Sequence, residues 1–291
     1  MLTGYIAAVV SPFRDGHVDV EAFERYIDHI ADSGVSGVAV CGSTGESLSL
    51  SMAEKVKLVR IAAAVNCGRV KLVGGIVNST TEDCVQLIKQ MEEHVDYFLC
   101  ICPFYVKPSQ HQIYEHFRTL SSATSRDIIL YNNPSRVGAD IGFDTFRRLC
   151  DLENVVAIKE CSLDLSRFSL WRAVVRDGFS FLSGNDDVAG GALAMGANGV
   201  ISVSANVAPS LCVSMYNEFQ QGNLGGFRAL RDRIALLHEL MFAEPNPAPV
   251  KYALSRMGFI VNELRAPLTS ISEGLRSKID EFLIGWLENA A

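Results

Sequence analysis

Short apolar runs alternate with longer stretches of helical periodicity over most of this chain. The runs fall at residues 6–10, 37–41, 71–75, 97–101, 128–131, 155–159, 180–182 and 199–203. Short runs rich in Val, Ile and Leu predict buried strands. Between them, apolar positions recur every three or four residues at 20–32, 51–65, 81–93, 110–122 and 165–176, which predicts amphipathic helices. Ser51, Thr80 and Ser109 stand where helix N-caps belong. Strands separated by helices pair in parallel through right-handed crossovers. Eight such units predict an α/β fold, a closed (β/α)8 TIM barrel, in preference to an open doubly wound sheet.

Helical periodicity continues beyond the last run, at 224–242 and 270–287. It is broken by Glu244-Pro245-Asn246-Pro247-Ala248-Pro249, through which no helix can run. The expected organisation is a barrel over residues 1–207 and a C-terminal helical region, 208–291, packed on it.

Composition narrows the function. The 291 residues are 48% hydrophobic, ample for a large core, and the net charge of −7 disfavours a nucleic-acid or membrane-surface partner. No segment has the length and apolarity of a membrane span, and the first residues lack the basic flank of a secretory signal, so the expected location is cytoplasmic. The eight cysteines are scattered, without Cys-x-x-Cys pairs or zinc-type Cys/His spacing, so neither a metal site nor a disulfide framework is expected. None of the six histidines falls at a predicted strand end, which makes them packing or surface residues.

The unusual polar residues collect at the C-terminal ends of the predicted strands, where barrels of this kind build their sites. Strand two ends in Gly42-Ser43-Thr44-Gly45-Glu46, strand five in Tyr131-Asn132-Asn133-Pro134-Ser135-Arg136, strand six in Lys159-Glu160 and strand seven in Ser183-Gly184-Asn185-Asp186, while strand four runs into Pro103-Phe104-Tyr105. An ammonium in a crowded apolar barrel is costly to keep charged. A neutral lysine amine, by contrast, attacks a carbonyl and forms a Schiff base. Lys159 is therefore the leading candidate nucleophile. Side chains alternate along a strand, so Ala157 and Lys159 share one face, as do Ile129 and Tyr131. If both sets point inward, the phenol of Tyr131 is beside the amine and can shuttle protons. Alone, Tyr131 reads better as a core aromatic with its hydroxyl satisfied; Lys159 beside it is what favours the catalytic reading. The Gly42–Gly45 stretch reads as a turn whose N–H groups and hydroxyls suit a carboxylate, or as a simple capping turn. Glu46 is expected to orient a neighbouring group. Arg136 is either a carboxylate clamp or a surface arginine. The glycine-rich stretch 190–199 has no Gly-x-Gly-x-x-Gly pattern and reads as a helix and turn before strand eight.

These motifs, in this order, with Gly199-Val200-Ile201-Ser202-Val203 and Glu244-Pro245-Asn246-Pro247, resemble the pyruvate-dependent class I aldolase superfamily of the dihydrodipicolinate synthases and N-acetylneuraminate lyases. The likeness spans nearly the whole chain and is strongest to the synthases. It implies condensation of pyruvate with L-aspartate 4-semialdehyde, toward lysine and diaminopimelate, with no cofactor beyond the imine itself. By resemblance Lys159 forms the imine, Tyr131 moves protons, and Thr44 relays them to Tyr105, which crosses from a neighbouring subunit. Ser43 and Thr44 hold the pyruvate carboxylate, Arg136 orients the aldehyde substrate, and Gly184 and Ile201 line the site through their backbone. A homotetramer, a dimer of dimers, is implied. Ser43 where threonine is common, Gly74-Gly75-Ile76-Val77-Asn78, and Cys161-Ser162-Leu163 after the lysine depart from the synthase pattern. They leave open another aldolase or lyase of the superfamily, acting on a 2-keto sugar acid or a 4-hydroxy-2-oxo acid. Retention of Lys159, Tyr131, Thr44 and Tyr105 argues against a non-catalytic binding protein.

The resemblance also implies a lysine-effector site, matched here by Asn78 and Glu82 but altered at Met52, Lys55 and Phe104. Lys55 places a positive charge where a cationic effector would sit, and like charges repel. Steady-state rates should therefore respond weakly or not at all to lysine. Strong inhibition at sub-millimolar lysine would refute this.

Overall fold

The computed structural model describes residues 1–288. Eight parallel strands close a barrel: β1 (Gly4–Ala8), β2 (Gly37–Val40), β3 (Lys71–Ile76), β4 (Tyr97–Ile101), β5 (Asp127–Asn132), β6 (Val155–Glu160), β7 (Ser180–Ser183) and β8 (Gly199–Ser202). Each pairs with the next in sequence, and β8 returns to β1 with Ile6 opposite Ile201. All eight apolar runs are thus strands, and the TIM barrel expected from them is present. The first strand lies two residues earlier than its apolar run. Val9 still donates its N–H to the Ala39 carbonyl at 3.0 Å, but the chain then leaves the barrel into a small hairpin of Phe13–Arg14 and His17–Val18.

The helices on the outside are α1 (Val20–Asp32), α2 (Met52–Asn66), α3 (Thr81–Met91), α4 (Gln110–Ser122), α5 (Phe143–Leu149), α6 (Ser166–Leu170), α7 (Ala189–Ala194) and α8 (Pro209–Gln220). Ser51, Thr80 and Ser109 are N-caps. Ser51 and Ser109 form full capping boxes with Glu54 and Gln112, each satisfying two otherwise unpaired backbone donors. The stretch expected as one helix at 165–176 is instead α6 followed by a 3-10 turn, Trp171–Val174. Its aromatic residues pack across strand ends: Trp171 stacks on Phe146 of α5, with ring centroids 4.4 Å apart. The unpredicted α5 is too short to show much periodicity; only Thr145, Phe146 and Leu149 of it are buried.

Helix α8 packs on β1 and completes the eighth β/α unit. The expected boundary at 207 and 208 therefore separates β8 from its own helix. We place the start of the appended layer after α8. It comprises α9 (Leu224–Phe242), α10 (Ala248–Arg256) and α11 (Glu273–Glu288), and residues 289–291 of the expected region lie outside the described residues. The proline-rich break falls between α9 and α10, with Pro249 in the first turn of α10, where its missing N–H costs nothing.

One close approach shapes the barrel mouth. After β2 the chain turns at Cys41, in the left-handed region with φ of 59°, and lays its carbonyl against Gly75 of β3. A Cβ on Gly75 would collide with the Cys41 carbonyl oxygen and lie 2.8 Å from the Gly42 nitrogen. Backbone cannot move aside as a flexible side chain can. Gly75→Ala should therefore destabilise the chain by about 1–3 kcal/mol in chemical denaturation, as overpacked substitutions do. An unchanged midpoint would show that the β2 exit is free to shift.

Candidate active site

The loop leaving β2 is held from below. Glu46, at its end, sits in the left-handed region with φ of 51°. Its carboxylate pairs with the Lys251 ammonium of α10 at 2.5 Å, both side chains being fully buried. The same carboxylate accepts the Arg265 backbone N–H at 3.1 Å. The Lys251 ammonium lies 4.1 Å, and the Arg265 guanidinium 4.3 Å, from the centre of the Phe13 ring, where the negative face of the aromatic favours a cation. Arg265 also bonds Glu54 of α2 at 2.7 Å. Burial pulls the Lys251 ammonium below its ordinary value, and the charge of Glu46 opposes that shift. The orienting role expected for Glu46 is thus directed at the C-terminal layer.

On top of this base, Thr44 is buried, and its hydroxyl oxygen accepts a hydrogen bond at 3.1 Å from the side-chain amide of Asn246 in the proline-rich segment. Ser43 and Gly42 continue the same wall. From β5 comes Tyr131, 3% exposed, directly opposite Lys159 of β6 in the sheet register. The Lys159 amine is 4.5 Å from the centre of the Tyr131 ring, and the residue is only 7% exposed. The inward parity expected for both strands holds. The Tyr131 hydroxyl accepts from Asn133 at 3.2 Å. Asn133 in turn caps the single helical turn Pro134–Val137 that carries Arg136.

Glycine is required at 184. A Cβ there would strike the Cys161 sulfur and lie 2.8 Å from the Cε of Lys159. The thiol of Cys161 is pushed up to about 11, chiefly by burial, with the Lys159 charge opposing. Behind the lysine, Glu160 is buried and accepts from Asn132 at 2.9 Å and from the Ser162 N–H at 2.6 Å. Arg167 bridges it to Asp140 of the β5 loop, at 3.3 Å and 2.5 Å. Burial raises the carboxyl of Glu160, and the hydrogen bond from Asn132 counters it. This network ties the strand that carries Lys159 to the loop that carries Arg136.

Together these groups enclose a cavity of about 210 Å³ whose lining includes Ser43, Thr44, Tyr131, Arg136, Lys159 and Gly184. Asn133, Ser135, Asn185, Val203, Phe242 and Asn246 also line it, and the sequence alone gives none of them a role in the site. Asn246 was visible within the Glu-Pro-Asn-Pro motif; Phe242, the last residue of α9, lies in no recognisable motif and left no signal.

Two expected residues stand apart. Ile201 is buried in β8 but does not line the cavity; Val203, two residues on, does. Tyr105 is 91% exposed, with φ of 73°, and does not line its own chain's cavity. Outside the mouth, a second cavity of about 430 Å³ is lined by Leu48, Phe104, Arg136, Asn246 and Pro267, among others, so Arg136 and Asn246 stand between the two. Lys55 is buried, its ammonium donating to the Asn78 side chain at 2.8 Å and to the Val77 carbonyl at 3.4 Å. Among the described residues, no group of three or more His, Cys, Asp or Glu side chains is arranged to hold a metal ion, and no helix is long and apolar enough to cross a membrane.

Comparison with known proteins agrees with this fold. The model of the dihydrodipicolinate synthetase family matches residues 1–284. A 4-hydroxy-tetrahydrodipicolinate synthase of Hyphomonas neptunium is 39% identical over 283 residues, covering 96% of this chain and 97% of its own. The solved structure of the 4-hydroxy-tetrahydrodipicolinate synthase of Methylacidiphilum fumariolicum superposes with a TM-score of 0.96 at 34% identity, covering 99% of this chain and 97% of that one. Dihydrodipicolinate synthase of Aquifex aeolicus gives 0.96 at 35% identity, with 98% of each chain covered.

The buried pair under the β2 loop has a measurable consequence. Lys251→Met leaves the Glu46 carboxylate without its counter-charge in a dry site, which should cost about 3–5 kcal/mol in chemical denaturation. Adding Glu46→Gln should recover part of that loss, since the stranded charge is then gone. Equal stability of the single variant and the wild type would show that the pair holds nothing.

Proposed function

The chain belongs to the dihydrodipicolinate synthetase family, and on that premise we propose that its cavity condenses pyruvate with L-aspartate 4-semialdehyde to 4-hydroxy-tetrahydrodipicolinate through an imine on Lys159. The observation behind the site assignment is the buried amine of Lys159 facing the Tyr131 ring inside a polar cavity. The activity belongs to the biosynthesis of lysine and diaminopimelate.

The chemistry follows from the groups at hand. In its deprotonated form the Lys159 amine adds to the ketone carbon of pyruvate, and loss of water gives the imine. The imine withdraws electrons from the adjacent methyl group, so a proton leaves and an enamine forms. The enamine carbon then attacks the aldehyde carbon of the second substrate. Attack by that substrate's own amine on the imine carbon closes the ring and frees Lys159. No metal or organic cofactor is needed, because the imine itself is the electron sink. Tyr131 donates and accepts the protons of these steps, and its hydroxyl is held by Asn133. Ser43 and Thr44 hold the pyruvate carboxylate with hydroxyl and N–H groups, and Gly184 keeps the space around Lys159 open. Arg136, at the mouth, takes the carboxylate of aspartate 4-semialdehyde in a bidentate clamp. Val203, and not Ile201, supplies the β8 side of the cavity wall.

Tyr105 belongs, in this reading, to the site of a second copy. The residue is 91% exposed, and Val106, next to it in the chain, and Leu48, which lines the outer cavity, are exposed in large part. Pairing two copies covers that apolar surface and brings a phenol to Thr44 of the partner's cavity. The assembly we propose is a homotetramer built as a dimer of dimers, in the cytoplasm.

Borohydride with pyruvate should trap one adduct per chain, on Lys159, by mass spectrometry. Lys159→Ala should trap none while keeping its fold. Arg136→Ala should still trap pyruvate but lose about 10–100-fold in kcat/KM for aspartate 4-semialdehyde, the loss expected for charged hydrogen bonds. A wild-type chain that yields no adduct would sink the mechanism.

A further inference from the structure

Sheet hydrogen bonding ends where the strands end, yet the cavity wall is made of the residues just beyond. On one side of the mouth, three side chains take over, two of them buried and one, Asn185, half-buried. Gly184 first donates its N–H to the Glu160 carbonyl at 2.8 Å, the last main-chain tie between β6 and β7. Asn185 then donates its side-chain amide to the Cys161 carbonyl at 3.0 Å, joining the exits of β6 and β7. Asp186 accepts the N–H groups of Val203 and Ser204, each at 2.9 Å, joining β7 to β8. Asn206 donates to the Ala8 carbonyl at 2.9 Å and to the Val203 carbonyl at 2.6 Å, joining β8 to β1. Gly184, Asn185, Val203 and Ala8 are all wall residues of the cavity.

Asp186 is the centre of this belt. It is 3% exposed, and both of its bonds reach the same oxygen, Oδ2, while Oδ1 has no partner. Ser204, whose N–H it holds, shares a hydrogen bond of 2.8 Å with His238 of α9. His238 lies one helical turn before Phe242, which closes another side of the cavity. A displaced Ser204 would therefore disturb the walls on β8 and on α9 together.

We propose that Asp186 is a positioning residue for the condensation, acting through the place of its acceptor oxygen and not through its charge. It touches no substrate. It sets the wall that faces Lys159, and so the orientation in which the enamine meets the aldehyde. This rests on the function proposed above.

The geometry separates place from charge. An amide at 186 offers one carbonyl oxygen, enough for both N–H groups, whereas a glutamate keeps the charge and moves the acceptor by one methylene. In the full-length protein, Asp186→Ala should lower kcat by about 10–100-fold, the scale of a small misplacement of reacting groups, with a smaller change in KM for pyruvate. Asp186→Asn should restore kcat to within about threefold of wild type, and Asp186→Glu should fall with the alanine variant. Thermal melts establish that each variant is folded. If the alanine variant does not fold, the Asn and Glu variants still decide. An active Glu variant with an inactive Asn variant would assign the effect to charge and overturn the proposal, as would full activity in all folded variants. Borohydride trapping of the wild type is read first: no adduct there strikes the proposed function itself, whereas trapping with indifferent variants strikes only the role of Asp186.

Discussion

The cavity depends on a carboxylate that has nowhere to go. Glu46 ends the loop that carries Ser43 and Thr44, and its side chain is fully buried against Lys251. A charge taken out of water must be paired, and breaking such a pair costs far more than the pair contributes over an apolar substitute. The loop after β2 therefore takes its shape only when α10 is docked beneath it. The Arg265 backbone N–H on the second carboxylate oxygen, and the Phe13 ring beneath both cations, extend the same constraint into the segment before α11. The appended layer is in this sense part of the site, and Asn246, which reaches Thr44 from that layer, makes the link direct.

The rest of the mouth follows from where strands stop. Register places Tyr131 opposite Lys159 without help from any loop. At the ends of the ladders, side chains add further ties: Asn132, Glu160, Asp140 and Arg167 between β5 and β6, and Asn185, Asp186 and Asn206 from β6 round to β1. Each is buried or half-buried, so each hydrogen bond stands in a low-dielectric setting where leaving a partner unmatched is costly. Two glycines, at 75 and 184, supply the space: one lets the β2 exit lie against β3, the other leaves room for the lysine stem. Crowding and polar ties together give a small rigid cavity with one amine at its floor.

Much of this was legible from the chain. The eight apolar runs named the strands, since a buried parallel strand must be apolar on both faces and short. Lys159 and Tyr131 were legible because alternation along a strand fixes which side chains share a face, and both strands are inward at those positions. Ser43, Thr44, Arg136 and Gly184 were legible as polar or small residues at strand ends. The 3-10 turn after α6, the shift of β1 and the completion of the barrel by α8 were not, because they depend on aromatic packing and on where a ladder runs out of partners.

What the sequence by itself determined was the barrel, through the period of its apolar positions, and the identity of the amine and phenol at its mouth, through strand parity. Only the tertiary structure decided which residues close the cavity. Asn246, Phe242 and the belt through Asp186 come from segments far apart in the chain, and no local pattern records a contact between them. Only the tertiary structure, too, left Tyr105 outside its own cavity, because the reach of a loop is set by backbone conformation and not by the spacing of its residues.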